Sequence, residues 1–369
     1  MLKMLRQETQ VPAVWLTAAF FLVFGNAWFA AAAQSGPLTL ALFIWLFAAI
    51  LWGAFGVVRH AEHLAESLGE PYGTLILTLS VTIIEVAFII TAIATGPGES
   101  PVARDAVFAV IMIMLNGVIG LCLLLGGLRH HEQVFNLPGA RAFLSVVIPL
   151  AIFAMVLPSF TIVTPGPVLS TAQAITIALL TLALYVVFLL MQTVRHRSFF
   201  QDPIEADGSV MPEAPHGVPH SNTFHAVALM LTLAPAVYLT EELGHIVEHA
   251  VKIARAPEGL VGVIVAVLVL APEAMGAVQA TLGNRLQRAV NISLGSVLAT
   301  IGLTVPAVLA LGVLKGIPTI LGIDHQQMVL LAVTLIVSIL TFGSERTNML
   351  QGAVHLVMFV VFGLLLFQP

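Results

Sequence analysis

The sequence predicts an all-α membrane protein of about eleven transmembrane helices, one N-terminal helix plus two inverted five-helix repeats, on three observations. Charged residues are 9% of the 369 positions and hydrophobic ones 59%, whereas a soluble domain carries about 25% charged residues. Mean hydropathy is +1.02, and the apolar residues fall in runs of about 20, enough to cross a hydrocarbon core of roughly 30 Å. Finally, the two halves of the chain repeat one pattern of charge and punctuation. Lipid offers no water to backbone amides, and the runs lack the alternation of barrel strands, so each run reads as a helix.

Taken in order, residues 1–36 hold a polar tail, MLKMLRQETQ, and a first span at 11–33. This span reads as a retained helix, because a second span follows closely. The first repeat, 37–192, carries spans at 37–58, 73–95, 106–128, 142–163 and 168–192. A hydrophilic linker, 193–223, reads as a solvated tether with several acidic residues and prolines. The second repeat, 224–369, carries spans at 224–247, 259–281, 289–314, 326–342 and 348–367.

Basic residues set the orientation. Lys3, Arg6, Arg59, Arg129, Arg141, Arg195, Arg197, Arg285, Arg288 and Arg346 fall on the N-terminal side, and Arg104, Lys252, Arg255 and Lys315 on the other. This asymmetry predicts a cytoplasmic N-terminus and, with an odd number of spans, a C-terminus outside. A net charge of -5 without a basic stripe excludes a nucleic-acid partner. The single cysteine, Cys122, excludes a disulfide or a redox pair within one chain.

The repeat is visible at residue level. Glu62-His63, seven residues and Pro71-Tyr72-Gly73 precede the third span; Glu248-His249, seven residues and Pro257-Glu258-Gly259 precede the eighth. Each of these spans then has one carboxylate near its middle, Glu85 and Glu273, both about 18 to 21 Å along the helix and so close to the bilayer midplane. The copies start five spans apart, so they face opposite sides of the membrane, as in inverted-repeat transporters whose site lies at the repeat interface.

No basic residue falls inside a predicted span to pair with Glu85 or Glu273. A mid-membrane carboxylate costs about 3 kcal/mol or more if left charged, so a proton or a bound cation must neutralise it. A divalent cation competing with protons for the same oxygens is the simplest chemical route to exchange. The neighbours suit a hard cation. Thr74, Thr78, Thr82 and Glu85 share one helical face, as do Ser293, Ser296, Thr300 and Thr304 on the ninth span. Pro272 frees carbonyls in the turn before Glu273, Asn116-Gly117 lies mid-span on the fourth, and such oxygens could complete the six to eight ligands Ca2+ accepts.

The stretches GEPYGTLILTLSVTIIEVAFIITAI (69–93) and APEGLVGVIVAVLVLAPEAMGAVQATLGNRLQRAVNISLGSVLATIGLTVP (256–306) resemble the two alpha-repeats of cation/proton exchangers in the calcium:cation antiporter superfamily, and most resemble ChaA-type bacterial calcium/proton antiporters. The likeness covers nearly the whole chain. It implies a secondary antiporter, not an enzyme, that exports Ca2+, or Na+ or K+, in exchange for protons and needs no organic cofactor. It also implies a bacterial inner membrane, cation and proton binding by Glu85 and Glu273, Asn116 and Ser296 as further cation ligands and Glu242 as an accessory group; from the hydroxyl faces above, Thr82 and Thr300 join the ligand set. The chain departs from the family's GNxxE pattern. Val81-Thr82-Ile83-Ile84-Glu85 and Val269-Leu270-Ala271-Pro272-Glu273 lack its Asn, which leaves Na+ or K+ exchange open.

Two alternatives come from other classes. A cation channel would dissipate a gradient without returning protons. His245-Ile246-Val247-Glu248-His249 matches HxxEH, the spacing of a zinc hydrolase. His60, His63, His245 and His249 also suggest a pH-sensing vestibule, with His63 and His249 as gating residues. Membrane lipid, inorganic cations and protons are the expected partners.

Overall fold

The computed structural model describes residues 8–68, 72–95, 101–203, 221–257 and 259–367. Each apolar run is a helix. They are α1 (Gln10–Ala32), α2 (Gly36–Leu68), α3 (Tyr72–Thr95), α4 (Val102–His130), α5 (Leu137–Phe160), α6 (Thr171–Arg195), α7 (Asn222–Ala254), α8 (Gly259–Leu282), α9 (Leu286–Lys315), α10 (His325–Thr341) and α11 (Met349–Phe367). Among the described residues nine helices are long and apolar enough to cross a membrane, and α10 is a shorter apolar helix.

Burial sorts the helices into a core and a rim. In α4, 83% of the most apolar window is buried, and in α9 67%, against 28% in α1, 22% in α6 and 17% in α11. The exposed Leu16, Leu22, Leu179, Leu180, Val357 and Val360 of the rim helices are the surface expected of a chain whose solvent is hydrocarbon.

The contacts follow the repeat. Helix α3 packs on α9 as α8 packs on α4, and α4 meets α11 as α9 meets α6. The most extensive contact joins α2 to α7, the first helices of the two repeats. Close approach at the α8–α4 crossing depends on Gly262, where an added Cβ would lie 2.7 Å from the Ala106 amide nitrogen. Loops join the halves as well. The short strands β1 (Gln133–Val134) and β2 (Arg346–Thr347) pair antiparallel, and Val168 bridges Ile320.

Matching helices break their regular winding at matching places. Helix α4 has a π-helical segment at Ile113–Val118 and α9 one at Thr300–Thr304. Such wide turns release backbone carbonyls from their usual partners and cluster at functional sites.

Two boundaries differ from the hydropathy reading. Helices α2 and α7 each run 33 residues, about 50 Å, so both continue beyond the point where charged residues end the apolar run. The start of the linker is also not a tether. Residues Arg197–Phe200 form a 3-10 turn, Phe200 is fully buried, and its carbonyl accepts a 2.6 Å bond from Asn291 Nδ2. A buried aromatic ring outweighs the polar composition around it. Residues 204–220, with the remaining acidic positions, lie outside the described residues.

Candidate functional site

Glu85 on α3 is 3% exposed and Glu273 on α8 fully buried, and the two carboxylates lie close enough for their charges to interact. They converge on one face of α9. Thr300 Oγ1 donates to Glu85 Oε2 at 2.8 Å, Thr304 Oγ1 to Glu85 Oε1 at 3.3 Å, and Ser296 Oγ to Glu273 Oε2 at 2.8 Å. Ser296 and Thr300 are one turn apart, about 6 Å along the axis, so a single helix spans the gap between the two acids.

The hydroxyl stripe read from the sequence is this bridge. Ser293, its fourth member, is buried with no hydrogen-bond partner among the described residues, and the same holds for Glu273 Oε1. An unpartnered buried carboxylate oxygen is costly, and a cation or a proton would satisfy it. Thr82 is buried one turn before Glu85, whereas the side chains of Thr74 and Thr78 lie outside the described residues. Pro272 interrupts the α8 ladder immediately before Glu273.

Two carboxylates and three hydroxyls form a compact oxygen-rich site in an apolar bundle. A hydroxyl donates one proton and keeps two lone pairs. The same Ser and Thr that hold a carboxylate can therefore turn toward an arriving cation, the ligand type hard cations prefer.

Asn116 and Glu242 have hydrogen-bond partners other than the two carboxylates. Asn116, in the α4 π segment, donates from Nδ2 to Thr334 Oγ1 at 2.8 Å, and its Oδ1 lies 3.2 Å from His355 Nδ1. His355 Nε2 is 2.9 Å from Thr341 Oγ1. Its amide thus belongs to a buried network with α10 and α11 and forms no hydrogen bond to either carboxylate. The reason is that a buried amide must satisfy all its polar atoms and finds these partners within reach. Glu242 Oε1 accepts from Tyr238 Oη at 2.6 Å, one turn away on α7.

The four histidines do not form one vestibule. His63 stacks on His225 with ring centroids 4.5 Å apart, and His60 Nδ1 lies 3.1 Å from His225 Nδ1. His245 and His249 sit 20 and 24 residues beyond His225 on the same helix, about 30 Å or more away. His249 Nε2 is buried without a hydrogen bond among the described residues. HxxEH finds no third ligand, because among the described residues no three His, Cys, Asp or Glu converge as a metal site. Sequence reading missed His225 and His355. The latter, a lone ionisable residue inside an apolar run, was the readable signal.

The fold and site define a multi-pass membrane protein built from two inverted repeats around a pair of buried carboxylates. The chain belongs to the sodium/calcium exchanger protein family, whose match covers residues 38–194 and 224–368, the two five-helix halves. It is 44% identical to a putative ionic transporter of Sinorhizobium fredii over 86% of each chain. It is 40% identical to the sodium-potassium/proton antiporter ChaA of Escherichia coli over 90% of this chain and 91% of that one. The fold is that of native YfkE, with TM-score 0.70 at 20% identity over 93% of this chain and 100% of that one. It is also that of the H+/Ca2+ exchanger CAX, with TM-score 0.66 at 15% identity over 94% and 88%.

Proposed function

We propose that the protein is a proton-driven cation antiporter of the bacterial inner membrane, with its N-terminus in the cytoplasm, in which Glu85 and Glu273 carry cation and protons in turn. The observation that carries this reading is the pair of buried acids joined through α9 by Ser296, Thr300 and Thr304. With either two protons or one divalent ion the site is neutral and can be re-exposed across the membrane, whereas an empty doubly charged site cannot. Rocking of one repeat against the other alternates access. Thr82 and the α9 hydroxyls supply further ligands.

Ca2+, Na+ and K+ are all proposed as exported ions. The relative 40% identical to this chain is named a sodium-potassium/proton antiporter, and one 25% identical, from Bacillus subtilis, a Ca(2+)/H(+) antiporter. Two carboxylates balance one divalent ion, or one monovalent ion with one proton. Glu242, His63 and His249 are proposed as accessory groups on the access paths.

The test is proton flux from inside-out vesicles on addition of Ca2+, Na+ or K+. Cation-dependent proton release is expected for the wild type and is lost in Glu85→Gln and Glu273→Gln. Release retained in either variant contradicts the role of that residue. Collapse of a cation gradient without proton movement would instead indicate a channel.

A further inference from the structure

Helix α1 lies outside both repeats, yet it packs on the first helix of each, α2 and α7. Helix α7 carries Pro235 in its interior. Pro235 stands thirteen residues before Glu248, and the residue thirteen before the matching Glu62 of α2 is Ala49, so only one of the two helices has the proline. Proline has no N–H, and the carbonyl four residues earlier, that of Leu231, loses its helical donor. The indole of Trp15 on α1 supplies one: Nε1 donates to Leu231 O at 2.8 Å. Trp15 and Leu231 are both exposed on spanning helices, where the surroundings are hydrocarbon and no water can replace this bond.

Three helices close around this turn. An added Cβ at Gly53 of α2 would lie 3.0 Å from Val14 Cγ2 of α1 and 3.8 Å from Ala236 Cβ of α7. One at Gly56 would lie 3.2 Å from Gln10 Cβ of α1 and 3.3 Å from Thr232 Cγ2 of α7. Thr232 is fully buried, and its Oγ1 donates back to Ala228 O at 2.8 Å, a bond that loosens and bends a helix. Loosened winding, a missing amide and a donor from outside the helix thus coincide in one turn of α7.

We propose that Trp15 is a positioning residue for exchange. Helix α1 clamps the first half of α7, 222–234, against α2, and Pro235 makes the following turn a hinge on which the second half, with Glu242, swings. Helices bend sharply at prolines, and a carbonyl already bonded from outside lets the angle change without breaking a helical bond. Rocking one repeat against the other needs such a joint between a part held fixed and a part that moves. Helix α7 also packs along α3, so its movement reaches the helix that carries Glu85. The role in exchange rests on the reading above; the clamp itself does not.

Two measurements on the full-length protein test it. The first is the midpoint of thermal unfolding in detergent. Trp15→Phe keeps a ring and removes the donor, and should lower the midpoint by about 2 °C or more. Pro235→Ala gives Leu231 O its helical donor back, so adding Trp15→Phe to it should lower the midpoint by less than about 1 °C. The second is the initial rate of proton flux from proteoliposomes on addition of Ca2+, Na+ or K+. Trp15→Phe and Pro235→Ala should each reduce the maximal rate by about fivefold or more with KM within about twofold. The double variant should be no slower than Pro235→Ala alone, because both changes act on one carbonyl. Equal midpoint losses from Trp15→Phe with and without Pro235 overturn the clamp. A wild-type maximal rate in either single variant overturns the hinge. Absence of any cation-dependent proton flux in the wild type, with the midpoint coupling intact, overturns the transport reading and leaves the clamp standing.

Discussion

Glu85 and Glu273 occupy equivalent places in the two repeats but are held differently. Both oxygens of Glu85 accept hydroxyl bonds, from Thr300 and Thr304, whereas Glu273 accepts one, from Ser296, and its Oε1 has no partner among the described residues. All three donors sit on α9. Its counterpart α4 contributes no such bond, because Asn116 is committed to Thr334 and His355. The lesson is that fold symmetry does not carry over to ligand symmetry. One helix serves both acids, and the less satisfied acid, Glu273, is where an arriving ion gains most.

The largest expected effect removes the pair altogether. Glu273→Gln or Glu85→Gln should reduce cation-dependent proton flux to below about 1% of wild type, since a neutral amide cannot exchange charge. Ser296→Ala against Thr300→Val then sharpens the contrast. A hydrogen bond to a charged group contributes about 1.5–3 kcal/mol. Ser296→Ala leaves Glu273 with no described donor, and the apparent cation KM should rise about 10- to 100-fold. Thr300→Val leaves Glu85 the Thr304 bond, so the rise should be several-fold smaller. Equal effects would show that the acids are equivalent in use despite their different partners.

Proton competition gives a further test with a definite sign. Lower pH on the side facing the open site favours the protonated carboxylates, which must release protons before a cation can bind. Apparent KM should therefore rise as pH falls. The rise is about 100-fold per pH unit if both acids lose a proton and about tenfold if one does. Initial-rate KM measured across pH distinguishes these. For Ca2+ the steeper slope is expected, and for Na+ or K+ the shallower one.

Much of this architecture was legible because it is periodic or repeated. Span positions follow from apolar runs, the two acids from their matched spacing, and the α9 bridge from hydroxyls at helical intervals of three and four. What stayed illegible depends on partners distant in the chain. His60 meets His225 across 165 positions, and His355 meets Asn116 across 239. Nothing local marks either pairing. The π segments leave no compositional trace, and the burial of Phe200 follows from a docking surface that the folded α5, α6 and α9 provide together.

The smallest expected effect separates the two readings of Asn116. If its amide were a cation ligand, Asn116→Ala should raise KM about as much as Ser296→Ala. The hydrogen bonds argue otherwise. Removing the amide takes one partner each from His355 Nδ1 and Thr334 Oγ1 in a fully buried setting and leaves Thr334 Oγ1 a 3.8 Å contact with Met112 Sδ, at about 1–3 kcal/mol for an unsatisfied group. The expected outcome is a less stable protein, read as a lower midpoint of thermal unfolding in detergent, with KM changed less than about threefold. His355→Ala should show the same pattern, because it breaks the same bond from the other side, and the double variant should cost less than the two singles summed. A large KM change in Asn116→Ala with unaltered stability would place the amide in the ion pocket and restore to α4 the role that α9 now holds alone.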